Sequence, residues 1–218
     1  MKHKLIIFDL DGTLLNTIGD LAAACEAMLQ QRALPQHTLA EYTSFVGNGI
    51  RNLVKRSLPE EFRTDEYIDS AKADFVEYYT HNIHVHTQPY EGIPALLDTL
   101  SSAGVKIAVA SNKFHEGTLQ LIRYFFPDIN FVAIYGNREG FPLKPDAQLI
   151  EEIISLGDVA REDCVMVGDS AVDIQTAHNS HITSIGVSWG FRSREELIEA
   201  GADHIADSVE ELQTLLLR

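Results

Sequence analysis

Five short, nearly continuous apolar runs, at 4–9, 105–110, 131–135, 164–168 and 182–187, constrain the fold more than any other feature. A strand facing solvent on one side alternates apolar and polar residues, whereas an unbroken run of this length suits a strand covered on both faces. Around the later runs, apolar residues recur at helical spacing over 115–126, 146–156, 170–178 and 193–200, and a final pair of segments falls around 203–206 and 208–217. This alternation predicts the α/β class, with a doubly wound parallel sheet of Rossmann-like type. The first interval breaks the rhythm. From 16 to 88 every pattern is helical, over 18–32, 39–45, 50–58 and 65–82. Roughly 70 residues exceed what a crossover connection needs. The expectation is therefore a core formed by 1–15 and 89–218, carrying an inserted all-helical cap domain of 16–88.

Charge excludes some partners. The 218 residues carry 17 basic and 32 acidic side chains, a formal charge of -15. Such a field repels nucleic acid and anionic membrane surfaces, so neither is an expected partner. The apolar run at 5–8 is too short for the core of a signal peptide, and no run approaches a membrane span, which predicts a cytoplasmic protein. Cys25 and Cys164 lie in helical and strand patterns, which predicts buried free thiols.

Open parallel sheets bind ligands beyond the carboxyl ends of their strands. Asp9 and Asp11 follow the first run, Ser111 and Asn112 the second, and Asp169 and Asp173 the fourth, while Lys144 precedes a helix. If they converge, each pair of carboxylates about 4 Å apart costs roughly 4 kcal/mol at an effective dielectric near 20. A bound cation or protonation relieves that repulsion. Oxygen donors without clustered His or Cys favour a hard ion, magnesium first. His81, His84 and His86 are spaced like metal ligands but fall where the insertion should return to the sheet. Trp189, the only tryptophan, suits either packing or lining the site.

Asp9-Leu10-Asp11-Gly12-Thr13-Leu14, Ala110-Ser111-Asn112, Lys144-Pro145 and Gly168-Asp169-Ser170-Ala171-Val172-Asp173 together resemble, in order, the four motifs of the haloacid dehalogenase superfamily. The cap stretch Val46-Gly47-Asn48-Gly49-Ile50-Arg51 and the segment Gly186-Val187-Ser188-Trp189-Gly190-Phe191 make the phosphoglycolate phosphatase group the most similar branch.

The resemblance implies a magnesium-dependent phosphomonoesterase. Asp9 would be the nucleophile that forms an aspartyl-phosphate, and Asp11 the acid and base. Ser111 and neighbouring amides would hold the phosphoryl oxygens, with Lys144 offsetting charge. Gly12, Thr13 and Asn112 would help to bind substrate. Magnesium would take Asp9, the carbonyl of Asp11 and Asp169, with Asp173 binding directly or through another ligand. Dehalogenases of the superfamily need neither the metal nor the second carboxylate, so Asp11 argues against dehalogenation. The implied substrate is a small phosphorylated metabolite, 2-phosphoglycolate first, acted on by a monomer or homodimer. A pyrophosphatase, or a sugar-phosphate phosphatase or mutase, would use the same site. A non-catalytic phospho-ligand-binding regulatory domain is the alternative of another class, and the intact Asp9, Asp11, Lys144 and Asp169 speak against it. Within the cap, Asn48, Gly49 and Arg51 stand at a helix start, with Arg51 and Lys55 at i, i+4 spacing. That is an anion-reading arrangement, and substrate selectivity is expected there.

Overall fold

The first apolar run folds as β1 (Leu5–Phe8), and none of its four side chains reaches solvent. It is central because successive side chains of a strand point to opposite faces, so burial of all four requires cover on both. This is seen in a computed structural model that describes residues 3–217. The chain continues through β2 (Leu15–Asn16) into α1 (Ile18–Gln31), α2 (Leu39–Phe45), α3 (Gly49–Ser57) and α4 (Asp65–His81), then returns through β3 (Gln88–Pro89). The remaining elements are α5 (Ile93–Ser102), β4 (Lys106–Phe114), α6 (His115–Phe125), β5 (Phe131–Asn137), α7 (Gln148–Gly157), β6 (Cys164–Gly168), α8 (Ala171–Asn179), β7 (Thr183–Val187), α9 (Arg194–Glu199), β8 (His204–Ala206) and α10 (Val209–Leu217).

Six strands form one sheet in the order β5-β4-β1-β6-β7-β8, and its described pairings are parallel. The register sets Leu5 against Lys106 on one side and Cys164 on the other. On one face, Leu5 and Ile7 pack with Ala108, Ala110, Cys164 and Met166 under Leu149, Ile150 and Ile153 of α7. The chain crosses from β1 to β4 on one flank and later to β6 on the other. The strand order therefore reverses at β1, where the carboxyl ends of β1, β4 and β6 lie side by side.

By density of contacts the chain divides into two units: residues up to Leu15 with those from Pro89 onward, and Asn16–Gln88. The second unit is helical. Its α1 buries Leu21, Cys25, Met28 and Leu29 and its α4 buries Ile68, Ala71, Phe75 and Tyr79, each at the spacing of one helical face. Thr38 and Glu41 cap α2 reciprocally, Thr38 N donating to Glu41 Oε2 at 2.7 Å and Glu41 N to Thr38 Oγ1 at 3.3 Å. Asp20, in the first turn of α1, is buried and accepts three hydrogen bonds from the returning chain: His86 N at 2.8 Å, Thr87 N at 2.8 Å and Thr87 Oγ1 at 2.7 Å. His86 approaches α1 at Gly19, where a β-carbon would collide with it.

Two features depart from the sequence reading. Helix α5 was not among the expected helices, although Ile93, Leu96, Leu97 and Leu100 are buried along one face. Strand β4 does not stop at Ala110 but runs on to Phe114. Its register against β5 slips there, the three residues between Ala110 and Phe114 facing the one between Tyr135 and Asn137. Residues 111–113 form the resulting bulge, which re-aims their side chains. Both cysteines are free and buried, and burial pushes the Cys25 thiol up to about 12. Among the described residues no helix is long and apolar enough to cross a membrane.

Candidate active site

Directly after β1 the chain folds back on itself. Thr13, Leu14 and Leu15 all direct their amides to the carbonyl of Leu10, and Gly12 N donates to Leu15 O at 2.9 Å. Gly12 has a φ of 87°, and a β-carbon there would collide with the carboxylate of Asp169, so only glycine fits this turn. Asp9 N donates to Val167 O at 2.9 Å, which ties the end of β1 to β6.

The carboxylates gather where the sheet order reverses. One oxygen from each of Asp9, Asp169 and Asp173 lies within 4.8 Å of the others. Lys144 completes the group. Its ammonium donates to Asp9 Oδ1 at 2.9 Å, Asp173 Oδ1 at 2.7 Å and the carbonyl of Ala110 at 2.7 Å. Those three bonds use all three donors of the ammonium. Burial alone would lower its pKa, but Asp173 and Asp9 outweigh burial and hold it above the ordinary lysine value. Burial also raises Asp9, to about 7, with Lys144 pulling it down and Asp173 and Asp11 pushing it up. Asp169 is held well above the usual carboxylate range by burial and by the charges of Asp173 and Asp9. One lysine does not neutralise three buried carboxylates, so the group has room for further positive charge. Its donors are all oxygens, which suits a hard divalent ion.

Each neighbour has a definite job. Asp173 Oδ2 accepts from Ser170 N at 3.1 Å and Ser170 Oγ at 2.7 Å, which fixes the start of α8 while Oδ1 holds Lys144. Asp169 Oδ2 accepts from Phe191 N at 2.7 Å, and its Oδ1 from Thr13 Oγ1 at 3.3 Å. Trp189 Nε1 donates to Thr13 O at 3.2 Å, and its ring lies 6.5 Å from that of Tyr90. A β-carbon on Gly190 would collide with Asp169 and with the Gly12 carbonyl, so this segment closes over Asp169 only with glycine there.

Asn112 binds the main chain of Lys144 at two points, donating to its carbonyl at 3.1 Å and accepting from its amide at 2.8 Å. Ser111 Oγ accepts from Lys113 N at 3.2 Å. Asp11 is less buried than the others and its carboxylate is paired with Lys113, whose Nζ lies 3.1 Å from Oδ1 and 3.4 Å from Oδ2. Lys113 was not singled out in the sequence, because a lone lysine after an apolar run reads as solvated. The bulge in β4 is what turns it inward.

The remaining sequence candidates lie in the helical unit. Asn48 precedes α3, Gly49 begins it, and Arg51 donates to Asp65 Oδ1 at 2.7 Å and Asp69 Oδ1 at 3.2 Å, joining α3 to α4. The guanidinium is thus already committed to two carboxylates. His81 Nδ1 bonds the carbonyl of Glu77 and His86 N bonds Asp20. The metal-competent group found among the described residues is Asp9, Asp169 and Asp173, not these histidines.

A parallel sheet whose strand order reverses at β1, with Asp9 and Asp11 just beyond that strand and a lysine bridging two carboxylates beside them, is the arrangement of a hydrolase class. Residues 6–187 match the model of the haloacid dehalogenase-like hydrolases, and the chain belongs to that family. Among named relatives, the phosphoglycolate phosphatase of Agrobacterium fabrum is 36% identical over 93% of this chain and 88% of its own. A crystal structure from Lactobacillus delbrueckii subsp. bulgaricus superposes with a TM-score of 0.92 at 33% identity, covering 100% of this chain and 99% of that one. A predicted phosphoglycolate phosphatase from Haemophilus somnus gives a TM-score of 0.90 at 25% identity, over 99% and 98% of the two chains.

Proposed function

We propose that the protein is a magnesium-dependent phosphomonoesterase that works through an aspartyl-phosphate on Asp9 and takes 2-phosphoglycolate as its substrate. The observation that carries the reading is the placement of Lys144, whose single ammonium bridges Asp9 and Asp173 at 2.9 and 2.7 Å. That bridge fixes the Asp9 carboxylate at the carboxyl edge of the sheet. The names of the relatives support the choice of substrate.

In the first step a carboxylate oxygen of Asp9 bonds to phosphorus as the bond from phosphorus to the leaving oxygen breaks, and Asp11, paired with Lys113 in the free enzyme, passes to that oxygen a proton it has taken up as the substrate binds. In the second step Asp11, now ionised, takes a proton from water. The water oxygen bonds to phosphorus, the acyl-phosphate bond breaks, and phosphate and free Asp9 result. Asp9, Asp169 and the carbonyl of Asp11 would hold the magnesium ion, with Asp173 directing Lys144 beside it. Bound there, the ion supplies positive charge against the phosphoryl oxygens. Ser111 and the amides of the β4 bulge contribute neutral donors to the same oxygens. Thr13 and Asn112 act by holding Asp169 and the Lys144 backbone in place.

The test is phosphate release from a panel containing 2-phosphoglycolate, sugar phosphates and pyrophosphate, with magnesium and with excess chelator. The expected result is magnesium-dependent turnover led by 2-phosphoglycolate. Full activity in chelator refutes the mechanism, and a pyrophosphate or sugar-phosphate preference refutes the substrate.

A further inference from the structure

Lys113 is a buried charged group beside the carboxylates that the scheme above leaves without work. Its side chain is 2% exposed, at the carboxyl edge of the sheet. Its backbone is fixed on two sides. The amide donates to Ser111 Oγ, and the carbonyl presses on Gly136, where a β-carbon would collide with it. An ammonium buried to this degree is retained only beside an opposite charge, and that charge is Asp11. Lys144 cannot take this part, because its three donors are committed to Asp9, Ala110 and Asp173. The two lysines therefore divide the carboxylates between them, Lys144 serving Asp9 and Asp173 and Lys113 serving Asp11.

Asp11 needs such a partner more than its neighbours do. Asp9, Asp169 and Asp173 are each held by bonds that reach across elements. The Asp11 side chain is 14% exposed and turns on two rotatable bonds. Its contact with Lys113 involves both oxygens at similar distances, which sets the plane of the carboxylate as well as its direction. A proton donor must meet the leaving oxygen within hydrogen-bond reach, and a misplacement of about 1 Å costs on the order of a hundredfold.

We infer that Lys113 is a positioning residue for proton transfer, orienting the Asp11 carboxylate toward the leaving oxygen. The inference rests on the assignment of Asp11 as the acid. A leaving group that departs easily without a proton gains little from this orientation, and one that needs the proton gains most.

The experiment compares wild type, Lys113→Met and Lys113→Arg with magnesium present, on p-nitrophenyl phosphate and on 2-phosphoglycolate, whose alkoxide leaves poorly. The expected result is a kcat on the alkyl ester at least about thirtyfold lower in Lys113→Met, on the scale of a misplaced donor. On the nitrophenyl ester the loss is no more than about fivefold, KM moves little on either, and Lys113→Arg recovers most of the alkyl-ester rate. Equal losses in kcat on both esters would show a merely structural role and overturn the inference. A change confined to KM for 2-phosphoglycolate would overturn it too, by showing that the lysine binds the substrate's own carboxylate. Crystal structures of wild type and Lys113→Met supply a readout independent of turnover, in which the Asp11 carboxylate is expected to leave its wild-type orientation. An unmoved Asp11 refutes the positioning role. Failure of the phosphatase assignment looks different, as a wild type that hydrolyses neither ester while the two crystal structures still decide the role of Lys113.

Discussion

Replacing Asp9 by asparagine should abolish turnover and, without metal, stabilise the fold. Asparagine keeps the shape and can still accept the Lys144 hydrogen bond, but removes one charge from a group of three buried carboxylates facing one ammonium. Burial and the neighbouring carboxylates raise the Asp9 pKa from 3.8 to about 7. A folded-state pKa above the unfolded value means that ionisation opposes folding. The penalty is absent below the unfolded pKa, grows as pH rises from about 4 to about 7, and is complete above that. The difference corresponds to about 4 kcal/mol as an upper bound, at about 1.4 kcal/mol per pH unit. Coupling to Asp169 shares this between the two carboxylates, so a gain of about 1–3 kcal/mol is expected for the single change. Urea unfolding in chelator at pH 8 and at pH 4.5 measures it. Asp9→Asn should exceed wild type in stability at pH 8, the advantage should shrink at pH 4.5, and magnesium should narrow it by stabilising the wild type. A variant less stable than wild type in chelator at pH 8, or an advantage independent of pH, would refute the electrostatic account of the site.

Two predictions concern the helical unit. Asp20→Ala strands two backbone amides and a hydroxyl that are buried or partly so, at a cost on the order of 3 kcal/mol, and should raise hydrogen exchange at His86 and Thr87 at least tenfold. Unchanged protection there would show that the returning chain is held by other contacts. Arg51→Ala removes an exposed ion pair with Asp65 and Asp69, so the melting temperature should move by less than about 2 °C. Because its guanidinium is already paired, the ratio of kcat/KM for 2-phosphoglycolate to that for p-nitrophenyl phosphate should stay within about twofold of wild type, and a larger fall would show Arg51 to be a reader of the substrate.

What could be read in the sequence depended on how each residue is held. The strands were visible because burial on both faces leaves an unbroken apolar run, as in Leu5–Phe8. Asp9, Asp11 and Asp169 stood out because a carboxylate directly after such a run contradicts its surroundings. The end of β4 was hidden for the converse reason. Ser111, Asn112 and Lys113 are polar yet buried, and their burial comes from the site rather than from any periodicity. Helix α5 carries the apolar spacing of a helix, but Pro94 in its first turn reads as a breaker, although proline is tolerated there. The partners of Arg51 lie 14 and 18 residues away on another helix, beyond any local pattern. The two-point hold of Asn112 on Lys144 spans 32 residues and is equally invisible locally.

The hold of Asp20 on His86 and Thr87 has a kinetic consequence. In the finished sheet β1 pairs with β4, Leu5 meeting Lys106, so the first strand made must wait for about a hundred residues before its neighbour exists. Closing a loop of that length is entropically costly, and long-range parallel pairing is slow for this reason. An insertion whose own contacts hold residues 20 and 86 together shortens the free chain between the two strands to about a third. That lowers the closure cost by roughly 1 kcal/mol. The helical unit then acts as an internal splint, and sequences that loosen the Asp20 contact should slow the assembly of a sheet to which that contact contributes no residue.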